Sequence, residues 1–171
     1  MNPRLSIQFH RLQPKDLHLI HHWLNQTHVT EWWETSGSYA DIEEEFLPLT
    51  NPNATTCGYL AWLNEEPIGF IQSYVVKDSG DGWWEEETDP GARGIDQFLG
   101  NVQQLNQGLG TAMVQAFTEL LFTDSSVTKI QTDPSPENAR AIRCYAKAGF
   151  TPLKTVMTPD GLALLMVKYR S

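Results

Sequence analysis

The chain has 171 residues, of which 40% are apolar, and a formal net charge of −9. That length suits one folded domain with a sizeable core. The acidic balance argues against nucleic acid and anionic membranes as partners, since both call for basic patches. No stretch approaches the roughly 20 apolar residues of a membrane-spanning helix. The first ten residues lack a basic start followed by an apolar run, so a cytoplasmic protein without a leader is expected. Two cysteines, Cys57 and Cys144, fit a reducing compartment, and Cys144 reads as a buried helix thiol. Acidity is concentrated between positions 78 and 96, where Asp78, Asp81, Glu85, Glu86, Glu87, Asp89 and Asp96 face Arg93 alone. Such clustering suits a cationic ligand.

Along the chain, Leu5 to Leu12 alternates as a first strand. Pro14 opens a helix with Leu17, Ile20 and Leu24 on one face. A second helical region is expected from Thr27 to Leu47, with Trp32-Trp33 and the acidic run Asp41 to Glu45. Pro48 and Asn51 to Asn53 mark a loop. Thr56 to Leu63 and Pro67 to Val76 read as an antiparallel hairpin joined by the polar turn at 64–66. Lys77 to Ala92 is a long loop, and loops of that length in compact domains usually carry function. Arg93 to Leu99 is a fourth strand. Gly108 to Phe122 is an amphipathic helix with Leu109, Met113, Val114, Phe117, Leu120 and Leu121 apolar. Thr128 to Thr132 is a fifth strand. The next helix reads as capped by Ser135, with Pro136 in its first position and Gly149 as its stop. Phe150 to Met157 and Leu162 to Tyr169 close the chain as a hairpin about Thr158 to Gly161. The order β-α-α-β-β-β-α-β-α-β-β describes one mixed α/β sheet in a single domain, 1–171. Its fourth and fifth strands should be parallel, because a helix joins them.

Two local patterns carry chemistry. Gln107, Gly108, Leu109, Gly110 and Thr111 form a glycine-rich turn opening a helix. Free backbone N–H groups and a partial positive charge there suit a phosphate. The turn is neither a nucleotide P-loop nor the dinucleotide fingerprint. Asn138, Ala141, Ile142 and Tyr145 share one face of the following helix. Asn138 suits the amides of a pantetheine arm. Tyr145 is either a proton donor to a departing thiolate or a packed tyrosine.

The glycine turn together with Asn138-x-x-Ala-Ile-x-x-Tyr-x-Lys-x-Gly-Phe150 resembles the acetyl-CoA motifs of the GNAT N-acetyltransferase superfamily. Leu105 stands where that superfamily usually has Gln or Arg. Trp83-Trp84-Glu85-Glu86-Glu87, Gly94-Ile-Asp-Gln97, Glu31-Trp32-Trp33 and Thr158-Pro-Asp-Gly161 are similar to segments of the aminoglycoside 6'-N-acetyltransferases. The resemblance spans nearly the whole chain and is weak from about Thr35 to Cys57.

The resemblance implies transfer of an acetyl group from acetyl-CoA to the 6'-amine of a polycationic aminoglycoside, with no metal. Asp96 would meet the reacting amine, and Tyr145 would protonate the leaving thiolate. Asp81, Asp133 and Asp160 would bind further amines or hydroxyls, and Trp32 and Trp84 would line the sugar pocket. At least two of Glu85 to Glu87 read as a solvated face. A monomer is expected over a dimer. The alternatives are an acetyltransferase for a polyamine or a protein N-terminus, and a non-catalytic CoA-binding module.

Overall fold

The computed structural model describes residues 6–33 and 37–171. Its strands are β1 (Ile7–Arg11), β2 (Thr56–Leu63), β3 (Glu66–Val75), β4 (Ala92–Leu99), β5 (Lys129–Thr132), β6 (Thr151–Thr158) and β7 (Gly161–Tyr169). Its helices are α1 (Leu17–Leu24), α2 (Thr27–Thr30), α3 (Tyr39–Phe46), α4 (Leu109–Phe122) and α5 (Ala139–Lys147). The strands form one seven-stranded sheet in the order β1-β2-β3-β4-β5-β7-β6. β4 and β5 run parallel, with Ala92 opposite Lys129 and Gly94 opposite Gln131. Parallel neighbours need a crossover, and α4 supplies it. The pairs β1–β2, β5–β7 and β6–β7 are antiparallel. The architecture is therefore the mixed α/β sheet expected from the sequence.

Packing divides the chain into two compact units, Met1–Gln72 with Gln97–Gly110, and Ser73–Asp96 with Thr111–Ser171. In the first, the expected stripe of α1 is buried through Leu17, Ile20 and Leu24. Each such side chain contributes roughly 1.5–3 kcal/mol by leaving water. Phe70 and Phe98 pack against them, and Trp33 meets both rings edge-on at 6.0 and 5.0 Å. The expected helical region from Thr27 to Leu47 is corrected to two separate helices, α2 and α3. Ser38 restarts the helix, its hydroxyl accepting from the Asp41 amide at 3.2 Å. Asp41, Glu43, Glu44 and Glu45 lie on the exposed side of α3. Leu5, at the start of the expected first strand, and Glu34 to Ser36, inside the expected helix, lie outside the described residues. So does most of the segment on which the leader expectation rests.

In the second unit, Met113, Val114 and Phe117 of α4 are buried, whereas Leu120 is 43% exposed, so the apolar stripe stops a turn short of the sequence reading. A larger correction concerns α5. Ser135 does not cap it; the Ser135 hydroxyl accepts from the Glu137 amide in a preceding turn. Asn138 is the cap, its Oδ1 accepting from the Ala141 amide at 3.2 Å. Pro136 therefore lies before the helix rather than in its first position. The stop is as expected. The Phe150 amide returns to the Tyr145 carbonyl at 3.0 Å, and the Gly149 amide to Ala146 at 3.1 Å. The Tyr145 and Phe150 rings close this motif at 5.6 Å.

Candidate functional site

Strand alternation explains why carboxylates converge. Gly94 and Gln131 are register partners on parallel strands. Two residues further along each chain path, Asp96 and Asp133 emerge on the same side as that pair. Asp160 sits in the turn between β6 and β7, where the Thr158 hydroxyl accepts from its amide at 3.2 Å. The three groups act on one another. Burial first, then the charges of Asp96 and Asp160, push the Asp133 carboxyl up to about 8. At neutral pH Asp133 therefore carries a proton. Asp96, Asp133 and Asp160, named from the sequence, thus form one acidic cluster.

Tyr74, on β3, belongs to the same place and was not singled out by sequence reasoning. Burial, and then Asp96 and Asp133, keep its phenol protonated well above the usual tyrosine range. Gln131 and the Trp84 indole interact with its oxygen. Gln131 itself is 5% exposed.

The long loop after β3 is built in two halves. In the first, Gly80 pairs with Trp83, and Asp81 and Trp84 hold left-handed backbones at φ 55° and 51°. Asp81 is exposed, and the Trp83 and Trp84 rings lie 6.0 Å apart. Gly82 sits beside Pro159, so the loop tip neighbours the turn that carries Asp160. In the second half, Glu87 pairs with Lys129 at 2.6 Å, and Asp89 accepts from the Thr128 hydroxyl at 2.5 Å. That hydroxyl and the Gly91 amide hold the Asp89 carboxyl below its ordinary range. Glu85 and Glu86 are exposed, as expected for two of the three glutamates.

The other site residues are placed as follows. Trp32 is 38% exposed in the turn after α2, while its neighbour Trp33 enters the core. Gly108 has φ +81°, a backbone that side-chain-bearing residues resist, and nothing lies within 4 Å of where its Cβ would be. The main chain is thus open to a bound group immediately before α4. Leu109 is buried and offers only its backbone, and Gly110 and Thr111 complete the first turn. Gln107 donates its side-chain amide to the Gln103 carbonyl at 2.7 Å. The Thr111 hydroxyl interacts with Cys144 on α5, and burial raises that thiol. Cys57 and Cys144 are both free. Asn138 spends its Oδ1 on the helix cap, accepting from the Ala141 amide. Tyr145 is 4% exposed, its ring committed to the Phe150 contact. The first turn of α4 and the open glycine before it suit a diphosphate ester held by backbone.

Among the described residues, no helix is long and apolar enough to cross a membrane.

Comparison with known proteins agrees with this geometry. A family described as the acetyltransferase (GNAT) domain matches residues 13–158. The chain is 54% identical over 172 aligned residues to the aminoglycoside N(6')-acetyltransferase type 1 of Klebsiella pneumoniae, covering 99% of this chain and 86% of that protein. A solved structure of AAC(6')-Ib in complex with paromomycin and acetyl-CoA matches with a TM-score of 0.93 at 55% identity, covering 96% of this chain and 94% of that one. A crystal structure of the same enzyme with coenzyme A and kanamycin matches with a TM-score of 0.92 at 55% identity, covering 96% and 95%. On its sheet, its glycine-rich turn before α4 and these matches, the chain belongs to the GNAT acetyltransferase family.

Proposed function

We propose that this protein transfers the acetyl group of acetyl-CoA to the 6'-amine of aminoglycoside antibiotics and so inactivates them, with residues 1–171 acting as one catalytic domain. The observation that carries the reading is the Asp96–Asp133–Asp160 cluster, set beside a tryptophan-bearing loop. A substrate with several ammonium groups and sugar rings needs charge-assisted acceptors and flat apolar faces. High identity to enzymes of that activity supports it.

In this reading acetyl-CoA supplies a thioester for direct attack by the neutral amine. Gly108, Leu109, Gly110 and Thr111 hold its diphosphate through backbone N–H groups, Gln107 borders them, and the Asn138 amide donates to its pantetheine arm. Asp96 orients the 6'-amine and takes part in removing its proton. Asp81, Asp133 and Asp160 hold the remaining amines and hydroxyls. Trp84 and Trp32 cover sugar rings. Tyr145 gives its phenolic proton to the leaving thiolate. No metal takes part, and the protein works as a cytoplasmic monomer without nucleic acid or membrane.

The test is thiol release from acetyl-CoA with kanamycin, with a 6'-hydroxyl analogue and with spermidine. Fast release with kanamycin alone is expected. Release with spermidine alone would keep the reaction and overturn the substrate. Silence with all three would leave only CoA binding.

A further inference from the structure

Tyr74 lies across β4 at the one residue of that stretch that has no side chain. A Cβ on Gly94 would come within 2.0 Å of the Tyr74 Cζ and 2.4 Å of its oxygen. The phenol therefore rests on the Gly94 backbone, two residues before Asp96, and beside Gln131, two residues before Asp133. Its oxygen receives the indole N–H of Trp84. The Gln131 amide leans on the same oxygen at a geometry too poor to satisfy its buried Nε2. An under-bonded buried donor is rare in a structural core and common in a binding site. Trp84 holds φ +51°, a strained backbone for an indole-bearing residue, while its indole N–H bonds the Tyr74 oxygen.

We propose that Tyr74 is a positioning residue of this site, seated on Gly94, which holds Trp84 of the substrate loop beside the carboxyls of Asp96 and Asp133. The inference rests on the acetyltransferase reading above. The charged groups that face it are Asp96 on β4 and Asp133 after β5, with Asp160 of the β6–β7 turn acting on Asp133. Tyr74 stays neutral throughout the working range, so its oxygen remains a fixed, uncharged acceptor for Trp84 beside both carboxyls.

The decisive variant is Tyr74→Phe, which removes one oxygen and leaves the ring on its seat. Loss of one such hydrogen bond predicts about a tenfold fall in kcat/KM for kanamycin. KM for acetyl-CoA should stay unchanged. Gly94→Ala, which pushes the ring off its seat, should reproduce both effects. Wild-type kinetics in Tyr74→Phe would overturn the proposal. So would equal losses toward both substrates with a lowered Tm, the signature of packing alone. Failure of the underlying reading shows separately, as a wild-type protein that is silent with kanamycin.

Discussion

Replacement of Asp133 by Asn tests the acidic cluster most directly. In the folded protein the Asp133 carboxyl is raised to about 8, by burial and then by Asp96 and Asp160. In the unfolded chain it titrates near 4. A raised acid keeps its proton in the folded state while the unfolded chain releases one. Its favourable contribution is therefore complete below about pH 4 and is lost as the pH rises towards 8. A gap of about 4 units corresponds to a ceiling of about 6 kcal/mol. Water entry and relaxation of the two neighbouring carboxyls bring the expected effect down to about 2–3 kcal/mol. Asp133→Asn removes the titration without changing the shape of the side chain. Its Tm should match the wild type near pH 4 and exceed it by roughly 4–10 °C near pH 8.5. Ligand binding reads the same proton. At pH 7 a group with a pKa of about 8 is ~90% protonated, and an ammonium docking beside it expels that proton. Calorimetric titration with kanamycin in buffers of different ionisation enthalpy should count ~0.9 proton more released by the wild type than by Asp133→Asn. Equal proton counts, or Tm–pH curves that run parallel, would refute the account of the cluster.

Three further outcomes are expected. Asp96→Asn should nearly abolish thiol release with kanamycin while acetyl-CoA still raises the Tm; retained turnover would remove Asp96 from the chemistry. Tyr145→Phe should lower kcat with little change in acetyl-CoA affinity, whereas unchanged kcat would leave Tyr145 as the packing partner of Phe150 only. Gly108→Val forces a branched side chain into φ +81°, so the KM for acetyl-CoA should rise about tenfold or more while affinity for kanamycin holds.

The sequence was most legible where local signals agree with long-range packing. β2 was read at its observed limits, and the Leu17, Ile20 and Leu24 stripe is buried as its period demands. The start of α5 was misread because two good caps compete within four residues. Ser135 followed by Pro136 is the stronger local signal. The Leu164 amide, however, bonds the Pro134 carbonyl at 2.8 Å, which holds that segment against β7 and delays the helix to Asn138. Asp96 and Asp133 were named through family resemblance. Their adjacency depends on a parallel register that no local pattern encodes. Tyr74 was missed because an aromatic residue in a strand usually means core. A signal was present on the next strand, since Gly94 inside a strand marks a close approach by something bulky.

The cluster also answers a difficulty in assigning the proton transfer to Asp96 alone. An amine on the substrate holds its proton with a pKa of about 10, and a lone aspartate with one of about 4. Moving the proton across that gap costs about 8 kcal/mol before any bond is made. Asp96 does not act alone, however. Its charge and that of Asp160 help raise the proton affinity of Asp133 to about 8. In the ligand-free cluster the gap to the amine is thereby about 2 units, or about 3 kcal/mol, and a docked ammonium lowers the Asp133 proton affinity again. The proton belongs to the group of carboxyls rather than to one of them, as in other closely coupled acids. Two consequences follow under the proposed function. Asp96 orients the amine and takes part in removing its proton, and Asp133, besides holding a neighbouring group of the substrate, adds basicity to the cluster. Asp133→Asn should therefore leave kanamycin bound yet lower kcat, and the loss should not be recovered at high pH, because the group that titrated is gone. A variant lacking only a substrate contact would instead raise KM and keep kcat. The split between the two constants thus distinguishes a proton acceptor from a docking charge at this position.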